Sequence, residues 1–312
     1  MAIVAGCDDG SVRIWDLDGG SARHLPAMAH RGPVTALASG LADDTPVLVS
    51  STAAGPVHTW WLASGTPIGP PLPGEDPVAV ATVDDRLVVI SPDVHDRVCV
   101  WDPETAREVI AFEGLDAPVT ALAVTRLHSR PVVVMGHGPG QMSVGDLAAG
   151  HIVARMAGGH RQQVGAIVTA VLDGQPIAIS GASDGMIRRW DLHSGAPLGE
   201  PSYGHHGPLH APGRIYALAI ATLAGRPVAV SSGWDGELWV WDLARGDRLG
   251  DPLDDTYGDV QALMVSHRNG REVVVGGGIE EPVLRVWDLE HRRLDVVLPS
   301  PAHVLALAPV PP

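Results

Sequence analysis

Between Glu200 and Arg214 the chain sets Tyr203, His205, His206 and His210 close together. Imidazoles titrate near neutral pH and ligate Zn²⁺, so three of them in one loop carry the chemistry of a metal site or of acid–base catalysis. No cysteine and no Glu–His pair joins them at a recognised metal spacing. The loop therefore has three open uses: metal binding or catalysis, contact with a partner, or plain solvation. A second motif, Gly181-Ala-Ser183-Asp-Gly185, fits the Gly-x-Ser-x-Gly pattern of hydrolase nucleophiles. That chemistry needs a strand-to-helix turn with a separate histidine and acid. Here the motif lies between two strand-like runs, and we read it as a hairpin. All 21 basic residues are arginine, which excludes a lysine Schiff base. Cys7 and Cys99 are too few for a disulfide framework and read as small buried or half-buried thiols. The expectation is no catalytic residue, no bound metal and no cofactor.

The acidic residues suggest recognition rather than chemistry. The formal net charge is −15, which disfavours nucleic acid and anionic membranes, because phosphate binding needs clustered cations. The opening residues lack a cationic leader with an apolar stretch, and no run reaches the roughly 20 apolar residues of a membrane helix. A cytoplasmic location is expected on that basis.

The elements that position these residues follow from a repeat. Seven segments share an anchor: Val-Arg-Ile-Trp15-Asp16, His-Thr-Trp60-Trp61, Val-Cys-Val-Trp101-Asp102, Met-Ser-Val-Gly145-Asp146, Ile-Arg-Arg-Trp190-Asp191, Leu-Trp-Val-Trp241-Asp242 and Leu-Arg-Val-Trp287-Asp288. The anchors are 45, 41, 44, 45, 51 and 46 residues apart. Units of about 40–45 residues are the period of four-stranded propeller blades. Two anchors are degenerate: Gly145 stands for Trp, and Trp61 stands for Asp. Before each anchor comes an apolar β-branched run, such as Ile177-Ala-Ile179 or Val273-Val-Val275, and before that a Val/Ala-rich run such as Val34-Thr-Ala-Leu-Ala38. β-Branched runs bounded by Gly, Pro and Asp read as strands, and Asp184-Gly185 and Asp235-Gly236 read as hairpin turns.

The chain opens on the second strand of its first unit, Ala2-Ile-Val-Ala5. The missing innermost strand is supplied at the other end by Val304-Leu-Ala-Leu-Ala308. We therefore expect an all-β, seven-bladed propeller over residues 1–312, a whole chain, with the first blade built from about 1–25 plus 302–309. Closing the ring in this way removes exposed sheet edges.

These motifs resemble the WD-repeat family over essentially the full length. Stretches such as Arg-Pro-Val-Ala-Val-Ser-Ser-Gly-Trp-Asp-Gly-Glu-Leu-Trp-Val-Trp-Asp-Leu look similar to stand-alone WD-repeat proteins of actinobacteria. The resemblance implies a structural tetrad of His, Ser, Asp and Trp in well-kept blades. In blade five these are His160, Ser180, Asp184 and Trp190. In blade six they are His205 or His206, Ser231 or Ser232, Asp235 and Trp241. Blade two keeps His30 and Trp60 but has Ala54 at the Asp position. Trp15, Trp101 and Trp287 are the remaining structural anchors. The family's geometry also gathers acids on one face of the ring, including Asp8, Asp9, Asp93, Asp254, Asp255, Asp259, Glu280 and Glu281, with Arg31, Arg161 and Arg214 as the main cations.

The function this implies is a non-catalytic interaction scaffold. The acidic, loop-bearing face would contact another protein or peptide of basic character through Tyr203, His205, His206, His210, Asp254, Asp255, Glu280 and Glu281. The alternative is an enzyme, or a metal or small-molecule binder, using the same histidines and Tyr216 at the channel mouth.

Overall fold

A computed structural model describes residues 2–25, 28–53, 55–115, 117–207, 213–253 and 258–311. All its regular elements are strands, and they form seven antiparallel sheets. Blade one combines β26 (Val304–Pro309), β1 (Ala2–Cys7), β2 (Val12–Asp16) and β3 (Ser21–His24). Blade two holds β4 (Val34–Ala42), β5 (Thr45–Thr52) and β6 (His58–Trp61). Blade three holds β7 (Ala79–Val83), β8 (Arg86–Pro92), β9 (Val98–Asp102) and β10 (Arg107–Phe112). Blade four runs from β11 (Val119–Leu127) through β12 (Arg130–His137) and β13 (Gln141–Asp146) to β14 (His151–Arg155). Blade five comprises β15 (Val164–Leu172), β16 (Gln175–Ala182), β17 (Met186–Asp191) and the short β18 (Ser202–Tyr203). Blade six has β19 (Ile215–Leu223), β20 (Arg226–Gly233) and β21 (Leu238–Asp242). Blade seven has β22 (Val260–Arg268), β23 (Arg271–Gly278), β24 (Val283–Asp288) and β25 (Arg293–Pro299). In blades two and six the outer edge is reduced to isolated bridges, Val57 to Leu72, Trp60 to Pro67 and Trp241 to Arg248.

The second strand of each blade is covered on both faces by its neighbours, so it reads as a continuous apolar run rather than an alternating one. Val47, Leu48 and Val49 are fully buried, as are Val133, Val134 and Met135 in blade four. The core is divided among the seams between blades. One cluster joins Val273, Val275 and Leu284 of blade seven to Ile3, Ala5, Trp15 and Val304 of blade one. Another joins Val132, Val134 and Val144 of blade four to Val164, Ala178 and Trp190 of blade five. Every blade is thus stabilised by two neighbours, and β26 supplies the seam that closes the circle.

Two local devices repeat. The hairpins after the inner strands turn on two residues of positive φ, as at Asp43 and Asp44, Asp84 and Asp85, and Asn269 and Gly270, the conformation that matches the twist of the flanking strands. At the far end of the third strand, in every blade but the second, the anchor aspartate caps its own turn. Asp191 Oδ1 accepts the N–H groups of His193 and Ser194 at 2.7 and 2.9 Å, and Asp146 and Asp242 repeat the pattern. Burial pushes the Asp146 carboxyl up, but these N–H bonds outweigh it and hold the group below the usual carboxylate range. Because strands alternate in direction, the hairpins after the inner strands and the anchor turns share one face. The turns between second and third strands, together with the loops entering each inner strand, share the opposite face.

Candidate functional site

The histidines of the sequence separate into fold residues and surface residues. His160, in the loop entering β15, places Nε2 at 2.7 Å from Ser180 Oγ and Nδ1 at 3.1 Å from Asp184 Oδ1; Trp190 Nε1 donates to the same Ser180 Oγ at 2.8 Å. Blade six repeats this with His205, which bonds Ser231 at 2.8 Å and Asp235 at 2.5 Å, while Trp241 donates to Ser231 at 2.8 Å. The choice between His205 and His206 is thereby resolved: His206 is exposed and contributes its backbone N–H to Asp235 at 3.1 Å. This corrects the placement of His205 on a partner-binding surface. Its side chain is fully buried and its ring nitrogens are both engaged, so no partner reaches it. Burial raises Asp184 and Asp235, yet the hydrogen bonds from His160 and His205 prevail and keep both carboxyls below their ordinary range.

Blade two keeps a three-membered version. Ser50 Oγ accepts Trp60 Nε1 at 2.8 Å and lies 2.8 Å from His30 Nε2. Residue 54, where Ala stands for the acid, lies outside the described residues. His58 fills the neighbourhood instead, stacked on Trp60 and edge-on to His30. Burial, with the charge of His58, holds His30 down to about 4. In blade three Trp101 bonds Ser91 at 2.9 Å without a histidine. In blade one Ala5 occupies the serine position, and the buried Trp15 Nε1 has no partner among the described residues. Trp287 is fully buried in blade seven against Gly276, which takes the serine position there.

The Gly181-to-Gly185 motif lies in the hairpin between β16 and β17, with Asp184 committed to His160, so Ser183 has neither the turn nor the base of a nucleophile. Burial pushes the Cys99 thiol up to about 12, with Asp93 and Glu108 adding to the effect, and burial likewise raises Cys7. Among the described residues no group of three His, Cys, Asp or Glu side chains is placed to hold a metal ion.

On the face bearing the tetrad loops, the acids are largely engaged in turns. Asp9 pairs with Arg13 at 2.7 Å, Asp93 with Arg97 at 2.7 Å, and Glu281 with Arg285. Glu280 is exposed beside Gly258. His210, Asp254 and Asp255 lie outside the described residues. Tyr203 is 66% exposed, and its carbonyl is held by Arg248 Nη2 at 3.0 Å. Arg248 itself lies 3.8 Å over the Trp239 ring, a stacked cation that fixes the entry to the 200–214 loop. Burial raises the hydroxyl of Tyr216, with the charge of Asp259 acting in the same direction, while Arg214 lies over its ring at 5.8 Å.

Besides the 71%-exposed Val94 in the turn between β8 and β9, two exposed large apolar groups in adjacent blades on this face were not singled out by the sequence. Trp234 is 54% exposed and Ile279 46% exposed. They follow Gly233 and Gly278, the last residues of β20 and β23, and so hold equivalent turn positions in adjacent blades. The available signal was a tryptophan and an isoleucine at turn positions that are Ser183 in blade five and Asp8 in blade one. His303 was also missed; it bonds Asp8 across the ring closure.

Comparison with known proteins supports this architecture. The model of the family "WD domain, G-beta repeat" matches residues 2–16. The crystal structure of the computationally designed Ika8 protein is similar at a TM-score of 0.69 and 26% identity, over 98% of this chain and 86% of that one. No curated protein matches the chain. The family match falls on the opening strands of blade one; the other six blades repeat that strand plan, five of them with the buried anchor tryptophan, and the chain is accordingly a seven-bladed β-propeller whose blades are similar to WD repeats.

Proposed function

We propose that this propeller is a non-catalytic scaffold that binds a protein or peptide on the face carrying its tetrad loops, centred on blades six and seven. The observation that carries the reading is the exposure of Trp234 and Ile279 at equivalent turns of neighbouring blades. Turn positions are ordinarily polar, and a half-exposed tryptophan is the side chain most enriched at energetic centres of protein interfaces. Glu280 and Asp259 stand near Ile279 in the chain's fold, and Tyr203 lies at the edge of blade five. Acids around an apolar centre favour a partner whose contacting patch is basic, and they speed its approach at low salt.

The experiment is affinity capture from the source organism with the wild-type chain and with Trp234→Ala/Ile279→Ala. A partner retained by the wild type should be lost by the double variant. Glu280→Gln/Glu281→Gln should weaken capture and flatten its salt dependence. A partner held equally by all three chains would place its contact elsewhere and overturn the reading.

A further inference from the structure

A groove lies on the opposite face, between blades two and three. It encloses about 820 Å³. That volume falls within the usual range for sites that take compact ligands or peptide side chains. Its floor is apolar, with Trp61, Ile68, Leu87 and the 57%-exposed Val109.

The groove exists because one anchor departs from the repeat. At the end of the third strand the other blades place an aspartate that folds back to cap its own turn, as Asp102 does for Glu104 N–H at 2.9 Å. In blade two that residue is Trp61, and the turn is instead tied by Ser64 and Thr66, whose hydroxyls are 2.8 Å apart. The indole is left half-buried in the groove wall. The outer edge of blade two is only a pair of bridges, which leaves the flank of the groove without a fourth strand.

The rim is predominantly acidic. Asp43, Asp84 and Asp85 come from the two inner-strand hairpins and are exposed, and their carboxylates accept no hydrogen bond from the described residues. Asp102 and Glu104 add to them, against the single guanidinium of Arg86. A cation reaching Trp61 would meet an aromatic face and unpaired carboxylates together. The protein already uses the aromatic half of this arrangement once, where Arg248 stacks on Trp239 at 3.8 Å. A guanidinium satisfies both halves, since it stacks on an indole and pairs with carboxylates through its planar N–H groups.

We propose that this groove docks a short peptide segment carrying an arginine beside an aliphatic side chain, the guanidinium lying over Trp61 between the Asp43 and Asp84–Asp85 hairpins and the aliphatic group resting on Ile68, Leu87 and Val109. It is a second docking surface, independent of the one centred on Trp234.

The two surfaces each contain a tryptophan, which separates them in one measurement. The full chain, labelled with ¹⁵N, shows indole N–H resonances from its nine tryptophans. Those of Trp61 and Trp234 are assigned by their loss in Trp61→Phe and Trp234→Phe. The probe is an acetylated, amidated Leu-Arg-Leu-Arg peptide, with Leu-Glu-Leu-Glu as its control. The Trp61 resonance should move saturably with the arginine peptide while the Trp234 resonance stays in place, and the glutamate peptide should move neither. Asp84→Asn/Asp85→Asn should weaken binding about fivefold, the range expected for losing two exposed charge pairs. Asparagine tolerates the positive φ of both positions, so the hairpin is kept. An unmoved Trp61 resonance, an equal response to the glutamate peptide, or unchanged affinity in the asparagine variant would each overturn the proposal. A shift at Trp234 alone would assign the peptide to the other face.

Discussion

Asp8 and His303, 295 residues apart, are joined by three hydrogen bonds: the Asp8 carboxylate accepts the His303 N–H at 3.0 Å and its Nδ1–H at 2.8 Å, and the Asp8 N–H donates to the His303 carbonyl at 3.0 Å. They tie the first hairpin of the chain to its last strand. Both side chains are about one-third exposed, so the side-chain contact itself contributes at most about 1 kcal/mol. The larger share of the closure is the apolar seam of Ile3, Ala5, Trp15, Val275, Leu284 and Val304. Asp8→Asn should therefore lower stability by less than about 1 kcal/mol. Deleting the residues after Ser300 should remove the cooperative thermal transition followed by circular dichroism. A truncated chain that melts at the wild-type temperature would show that the seam is dispensable.

The serine of the tetrad is the shared partner of the tryptophan, whose N–H it accepts, and of the histidine Nε2, and two substitutions probe it in opposite directions. Ser180→Ala strands the buried Trp190 and His160 ring nitrogens and should cost about 2–4 kcal/mol in urea unfolding. Ala5→Ser supplies the missing acceptor for Trp15 Nε1, in the two-membered arrangement that Ser91 and Trp101 show at 2.9 Å. It should stabilise the chain by about 1 kcal/mol.

In blade four the aromatic comes from a neighbour. A β-carbon on Gly145 would lie 2.5 Å from the Phe112 ring, so Phe112, at the end of β10 in blade three, fills the space that an indole would need at that anchor. Phe112→Ala should cost about 3–5 kcal/mol. Gly145→Trp alone should also destabilise, by steric conflict. Combined, the two changes should recover part of the loss, a favourable coupling read from a double-mutant cycle.

Two acid windows follow from the buried groups. His30 is held down to about 4 in the folded chain, so the unfolded chain binds its proton first. The stability that neutral His30 contributes is complete above about pH 6.5 and is lost as pH falls toward 4, in proportion to its partial burial. By pH 5 the loss should be about 1 kcal/mol after discounting for solvent exposure, and His30→Gln should flatten the urea midpoint over pH 7 to 5. Asp184 and Asp235 are depressed, so their contribution is present above the ordinary carboxylate range and disappears only on further acidification through their folded values. Between pH 5 and 7, replacing either by Asn should shift the midpoint without changing its pH slope.

The seven-fold period, the hairpins and the blade-five tetrad were legible in the sequence, because each depends on residues within one unit. Anchor spacing sets the blades, glycines of positive φ such as those of Asp184-Gly185 and Asp235-Gly236 set the turns, and the tetrad that the WD-repeat resemblance implied, His160, Ser180, Asp184 and Trp190, stands within 31 residues. The pairing of 304–308 with the first unit was legible for the same reason, since a missing strand in one unit and a surplus strand in another are both countable. What the sequence left open was decided across the seams between blades. Phe112 fills the space at Gly145 from the preceding blade, His205 rather than His206 turns inward, and Trp61 becomes a groove wall only because the Asp84–Asp85 hairpin of the next blade stands opposite it. Periodicity specifies which residues lie in strands. Burial, pairing and exposure depend on what the adjacent blade brings to the same few ångströms, and that is a property of the closed ring.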